Sequence, residues 1–389
     1  MHHITTSTDC SQDQCTQPAA FIRNGVEAIV SQWSATPWVD SCISGDEARS
    51  KLQSDARALL QAVAAYLVSD GSSRDHPACE AASLIVSAER YASHYLTSGH
   101  TEVQLVLTLQ ALRDAVLQSW IASLTDCSLQ TLAAVNQVNQ AFDNALSAAL
   151  DHYSHIRNQC HGLFLKTLAH DLRNPLGGLE LMAQMMMQNP THPADGMLKI
   201  ACNISRSVDS AVKVAGDMYD LGNLRSGAGL LVNPDKTDLA TLCRKLADEL
   251  ASRYPEQSIR MEIGAPGEGL ADQSRITQAL LKLLGYAVRH GAKHQPPETT
   301  LLASAKELVF TVRYFSESPA PNDNESLFIP ISRYANHLLA RRGPLPDLGL
   351  DLYIAREIIQ AHEGELNVQS SGGWTTFEVR MQLKDCADR

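Results

Sequence analysis

The chain has 389 residues, 44% of them hydrophobic and 19% charged, with 43 Asp plus Glu against 32 Lys plus Arg and a formal charge of −11. That length supports two or three domains with separate cores, and the acidic balance argues against a general nucleic-acid binder, because phosphate is repelled. Its apolar runs are shorter than the ~20 residues of a bilayer-spanning helix, and the opening MHHITTSTDCSQDQCTQ has no apolar leader core, so a cytoplasmic chain without membrane insertion is expected, beginning with a disordered polar tail over residues 1–20.

Nine cysteines occur without a C-x-x-C pair, which reads as mostly buried, reduced thiols. Cys10 and Cys15, with His2 and His3, lack metal-ligand spacing, and no metal site is expected there.

From 21 to 126, apolar residues recur every three and four positions in VEAIVSQW, ARALLQAVAAYLV, ACEAASLIVSAERYASHYL and EVQLVLTLQALRDAVLQSWIASL. This predicts four or more helices packed as one α-domain, with breaks at Pro37, at Asp70-Gly71-Ser72-Ser73 and at Gly99. The pattern, above all SGHTEVQLVLTLQALRDAVLQSW, resembles the non-haem globin-like sensor domain of stressosome-type regulators. His94 and His100 are read as a part-buried tip and a solvated turn residue, not as haem ligands.

Residues 127–160 hold a stripe of Val135, Phe142, Leu146, Ala149, Tyr153, Ile156 and Cys160 at alternating three and four spacing. That is the pattern of a coiled-coil signalling helix, whose narrow seam is best buried against a second copy of the chain. The stripe then moves to Leu165, Leu168, Leu172 and Leu179. After Asn189-Pro190 and Pro193 a second seam follows at Met197, Ala201, Ile204, Val208, Ala211, Ala215, Met218 and Leu221, ending at Arg225-Ser226-Gly227. Two such helices per subunit, paired in a homodimer, predict a four-helix bundle over 161–228.

His170-Asp171-Leu172-Arg173-Asn174-Pro175 lies on the first of these helices, with His170 off the apolar stripe. An imidazole nitrogen can attack a phosphoryl group in line while a neighbouring carboxylate takes the ring's other proton, a role for Asp171. Asn174, one turn on, can orient a phosphate oxygen or a water. Pro175 removes a backbone donor and frees carbonyls of the preceding turn. This turn resembles the phosphoacceptor motif of sensor histidine kinases of the HisKA dimerisation type. The resemblance implies phosphate exchange between His170 and the aspartate of a response-regulator receiver domain.

Residues 229–389 mix strand and helix periods: a strand, turn and helix in LLVNPDKTDLATLCRKLADEL, strands in QSIRMEIG and ELVFTVRYF, helices in DQSRITQALLKLLGYAVRHG and LGLDLYIAREIIQAHEG, and a closing hairpin of ELNVQS and TTFEVRMQL. An α/β sandwich is expected, with helices on one face of a mixed sheet. The two helical segments and the hairpin resemble the ATP-binding domain of histidine kinases and related GHKL ATPases, which implies ATP and magnesium. The residues that would hold them differ. Lys282 and Tyr286 stand where the family has two asparagines, and neither is a magnesium ligand at neutral pH. Tyr314, Ser316 and Ser318 replace the Asp and glycines of the adenine turn. The lid reads Leu345-Pro346-Asp347-Leu348-Gly349-Leu350, with one glycine, Gly349, and a carboxylate where triphosphate would lie. Lys282 is otherwise read as a surface lysine, and Arg333, Arg341 and Arg342 as solvated.

The expected fold class is therefore multidomain: an all-α sensor domain, a dimeric four-helix-bundle phosphoacceptor domain and a degenerate C-terminal α/β sandwich. Three readings stay open: a phosphotransfer protein charged by a partner, a divergent autokinase with a non-standard pocket, and a non-catalytic adaptor for a partner histidine kinase or regulator.

Overall fold

Helical periodicity breaks where the chain turns. In the computed structural model, which describes residues 17–37, 39, 46–72, 77–124, 129–188, 194–254, 259–263, 268–304, 307–317, 325–340 and 348–382, the first four helices are α1 (Pro18–Ser34), α2 (Asp46–Ser72), α3 (Pro77–Thr97) and α4 (Glu102–Ala122). A 60-residue helix, α5 (Leu129–Gln188), follows, then α6 (Ala194–Arg225). The remainder runs β1 (Asp235–Asp238), α7 (Leu239–Arg253), β2 (Ile259–Ile263), β3 (Glu268–Ala271), α8 (Gln273–His290), β4 (Glu298–Ala303), β5 (Glu307–Phe315), a 3₁₀ turn (Glu325–Phe328), α9 (Pro330–Ala340), α10 (Leu350–Ala361), β6 (Glu365–Ser371) and β7 (Trp374–Gln382). Two compact units result, Met1–His161 with Tyr334–Gly343, and Gly162–Arg333 with Pro344–Arg389. No described helix is long and apolar enough to cross a membrane. Cys10, Cys15, His2, His3, Asn189, Pro190, Pro193, Ser318, Arg341, Arg342, Leu345, Pro346 and Asp347 lie outside the described residues.

In the first unit, Trp33 and Trp120 are fully buried, and Trp33 Nε1 donates to Thr108 O at 3.1 Å, tying α1 to α4. A reciprocal Thr101–Gln104 capping box starts α4 and satisfies donors the helix cannot. His94 is more deeply buried than a part-buried tip: it sits 3.7 Å from Asp55, which Arg90 holds at 2.8 Å. His100 packs its ring 5.1 Å from Tyr95.

The early stripe of α5 is covered within the chain. Phe142, Ala149, Tyr153, Ile156 and Cys160 are all buried in this unit. Tyr153 Oη donates to His100 O at 2.8 Å, Arg157 pairs with Glu102 at 2.7 Å, and His152 lies 2.8 Å from Ser93 Oγ. The expectation that the seam over 127–160 is buried against a second copy is thus corrected for these residues. Alternating three and four spacing specifies a packed stripe, and here its partner is the chain's own helical domain. Among the four described cysteines, Cys160 and Cys243 are buried whereas Cys79 and Cys202 are exposed.

In the second unit, α6 is closed just past Arg225 by Gly227, whose φ of +77° lets the Ala228 N–H reach Asn223 O at 3.1 Å. Beyond it a five-stranded sheet runs β2-β4-β5-β7-β6, with β2 and β4 parallel and the other pairs antiparallel, beside a two-stranded β1-β3 ribbon. Alternate residues of β5 and β7 are buried, so one face takes α7, α8 and α10 in a core including Leu246, Leu284, Ile358, Phe310 and Val379. The mixed α/β sandwich expected from sequence is this layer pair. Asp238 and Asp272 cap α7 and α8 by accepting from Ala240 and Thr241 N–H and from Arg275 N–H. The short strands β3 and β4, the 3₁₀ turn and α9 had no sequence counterpart.

Candidate functional site

His170 projects from α5 with its side chain 68% exposed. Its Nδ1 lies 3.3 Å from Asp171 Oδ1 and 3.4 Å from Asn174 Nδ2. The residues singled out on this turn therefore meet around one ring nitrogen and leave Nε2 on the open side. In the tautomer whose Nδ1 hydrogen is accepted by Asp171, Nε2 would keep a lone pair free to attack an electrophile. Pro175 is inside the continuous helix and is itself buried.

The positions that the resemblance assigns to nucleotide have a different structure. Lys282 is no surface lysine: it is 3% exposed, and its Nζ lies 2.7 Å from Asp217 Oδ1 on α6 and 3.0 Å from Asp351 Oδ1 on α10. Asp351 also bonds Arg289 and lies 3.6 Å from Lys213. Burial opposes ionisation of Asp351, yet Lys282, Lys213 and Arg289 outweigh it and hold the carboxyl below the usual carboxylate range. A second ion pair, Arg275 to Asp220 at 2.8 Å, again joins α8 to α6. Asp217, Asp220 and Asp351 are residues that sequence reasoning missed. For Asp217 and Asp220 the only signal is their place on the side of α6 away from its apolar seam, and Asp351, on α10, has none.

One turn on from Lys282, Tyr286 is 5% exposed. Its ring stands edge-on to Tyr314 at 6.3 Å and to Phe377 at 5.8 Å, while Tyr314 stacks on Phe377 at 6.0 Å and Phe328 meets Phe377 at 6.4 Å. Such offset and edge contacts are the preferred aromatic packings. Burial of the Tyr314 hydroxyl, with Tyr286 nearby, pushes its pKa well up, so it stays neutral. Arg333 lies over the Tyr286 ring at 5.6 Å and is part-buried, correcting the expectation of a solvated arginine. Gly349 caps α10 in the left-handed region (φ +66°), and any side chain there would meet Arg333 at 3.0 Å.

These residues do not fit magnesium and adenine. At the second asparagine place, which the resemblance gives to magnesium, stands the buried Tyr286, a poor oxygen ligand at neutral pH, and one turn back the ion-paired Lys282 ammonium would face a divalent ion with like charge. The rings of Tyr286, Tyr314 and Phe377 pack on one another where α8, β5 and β7 meet, with Arg333 over Tyr286. Structure thus brings Lys282, Tyr286, Tyr314 and Gly349 into one region, but as a packed and ion-paired one.

Residues 161–227 match the His Kinase A (phospho-acceptor) domain, and residues 271–385 match the family described as histidine kinase-, DNA gyrase B-, and HSP90-like ATPase. The bacteriophytochrome of Pseudomonas aeruginosa is 29% identical over 221 residues, covering 57% of this chain and 29% of that protein. The adaptive-response sensory kinase SasA of Nostoc sp. is 27% identical over 231 residues, covering 54% and 55%. The chain thus spans less than two thirds of the length of these relatives. Among solved structures, the Acinetobacter baumannii histidine kinase AdeS is 18% identical over 56% of this chain and 98% of that one, with a TM-score of 0.38. Histidine kinase ThkA in complex with response regulator protein TrrA is 16% identical over 60% and 65%, with a TM-score of 0.35.

Proposed function

As the chain belongs to the sensor histidine kinase family through residues 161–227 and 271–385, we propose that it is a two-component phosphotransfer protein whose His170 is charged by a partner and not by its own ATP. In the transfer, His170 Nε2 attacks the phosphorus of a receiver's aspartyl phosphate. The P–N bond forms as the P–O bond breaks, and its electron pair returns to the receiver as a carboxylate. The ring then carries the Nδ1 hydrogen and a positive charge, which Asp171 stabilises; the reverse step returns the phosphoryl group. Asn174 orients the phosphoryl oxygens. The partners this requires are a response-regulator receiver domain and a second copy of the chain, with a partner histidine kinase as a source of phosphate upstream.

The observation that carries the reading is Tyr286, buried against Phe377 at the place that the family resemblance gives to a magnesium ligand, with Lys282 at the other asparagine place locked between Asp217 and Asp351. An active autokinase needs the Tyr286 position for metal; an adaptor has no use for the exposed His170–Asp171–Asn174 turn. Residues 21–126 supply the input, a role read from chain order. The test is a titration of the full chain with a fluorescent ATP analogue and magnesium. No saturable binding is expected; saturable, magnesium-dependent binding in the micromolar range would restore the autokinase reading.

A further inference from the structure

Opposite its apolar seam, α6 carries a polar stripe. Arg206, Ser210, Lys213 and Asp217 follow one another at four, three and four positions, one face of a helix. The α5–α6 hairpin is in antiparallel register: a side chain at Gly178 would meet Ser207 Oγ at 3.0 Å, and Asn203 Nδ2 lies 3.9 Å from Met182 Sδ. One turn further along both helices, that register sets the histidine turn against the polar stripe. Asp171, Asn174, Arg206, Ser207, Ser210 and Lys213 accordingly line one cavity of about 490 Å³.

Charge decides what such a cleft accepts. The other carboxylates on its wall, Asp217 and Asp351, are taken up by Lys282, and Asp351 engages Arg289 as well. Arg206 donates to Asn203 Oδ1, a neutral acceptor, and Lys213 is 3.6 Å from Asp351, the loose limit of an ion pair. These two cations, with the hydroxyls of Ser207 and Ser210, share the cavity wall with Asp171 and Asn174. A guanidinium fork and an ammonium beside hydroxyl donors match a tetrahedral dianion.

We propose that the α6 wall is a phosphoryl-anion site, in which Arg206 and Lys213 hold the non-transferring oxygens of a phosphoryl group on His170. The proposal rests on His170 being the phosphoryl acceptor. Its chemistry also suits free inorganic phosphate, and the experiment separates the two sources.

The full chain is charged with phosphoramidate, a chemical donor that needs no receiver, and followed by phosphorus NMR across pH. His170→Ala identifies the resonance. In the wild type the cations lower the titration midpoint of the bound phosphoryl group. In Arg206→Gln/Lys213→Gln the midpoint moves up towards that of a free phosphohistidine, by about half a unit or more for loss of two neighbouring cations, while Arg206→Lys largely retains the wild-type value. Inorganic phosphate is titrated into the uncharged chain in parallel. A double variant that weakens phosphate binding but leaves the phosphohistidine midpoint unmoved assigns the site to free phosphate and overturns the histidine-borne form. Unchanged behaviour in both arms overturns the site altogether. A chain that charges at His170 and shows the shift, yet exchanges with no receiver, sinks the relay reading and leaves this site standing.

Discussion

Lys282 shows how one side chain can change what a pocket does. Its ammonium joins α6, α8 and α10 through Asp217 and Asp351, in a place shielded from water. Removing one partner of such a buried pair leaves a charge without compensation, a loss of roughly 3 kcal/mol or more. Lys282→Met should therefore lower the denaturation midpoint of the second unit, whereas Lys282→Arg should retain much of it; chemical denaturation followed by circular dichroism reads both. Restoring the family's residue alone should achieve nothing for nucleotide. Lys282→Asn still leaves Tyr286 and Tyr314 packed on Phe377, so a fluorescent ATP analogue should bind it no better than the wild type. Binding at micromolar concentrations would show that the lysine alone closes the site.

At the level of elements, α5 changes partners along its length. Up to Cys160 its apolar stripe is covered by the helices of the first unit. Beyond Gly162 the hairpin leaves Leu176 55% and Val212 64% exposed, together with Leu165, Leu181, Val208 and Tyr219. A face of that extent needs cover, and the proposed second copy would supply it as a four-helix bundle. Light scattering should report a dimer for the wild type and a monomer for Leu176→Glu/Val212→Glu, with helix content preserved. The histidine turn, the two hairpin helices and the α/β layer could be read in the sequence because each is local: His170, Asp171 and Asn174 share one helical turn, and the strands alternate. Other features could not. Lys282 meets partners 65 and 69 positions away, and no spacing rule reaches that far. The strand β3 is four residues long, too short to establish a period. The stripe through Phe142, Tyr153 and Ile156 was visible as a stripe, but periodicity does not say which surface covers it.

The whole molecule adds a pH dependence that belongs to the first unit. Burial, with Lys51 and His100 adding to it, pushes the His94 pKa down to about 4, although Asp55 stands 3.7 Å away. The unfolded chain has an ordinary histidine value near 6.5, so between about 6.5 and 4 it binds a proton that the folded chain refuses. Stability then falls as pH is lowered through that window, by roughly 3 kcal/mol from this residue. Burial lowers His100 and His152 too, which acts in the same direction. His94→Gln should flatten the decline of the melting temperature between pH 6.5 and 4; an unchanged slope would place the effect elsewhere.

Phosphate reaching His170 from another protein is the step on which the proposed function stands. Its most direct measurement is acid-labile label on the full chain after incubation with radiolabelled ATP and magnesium, set against incubation with a radiolabelled, phosphorylated receiver domain. Label from the receiver, absent in His170→Ala, and none from ATP are expected. Label from ATP on His170 in the purified chain would contradict it.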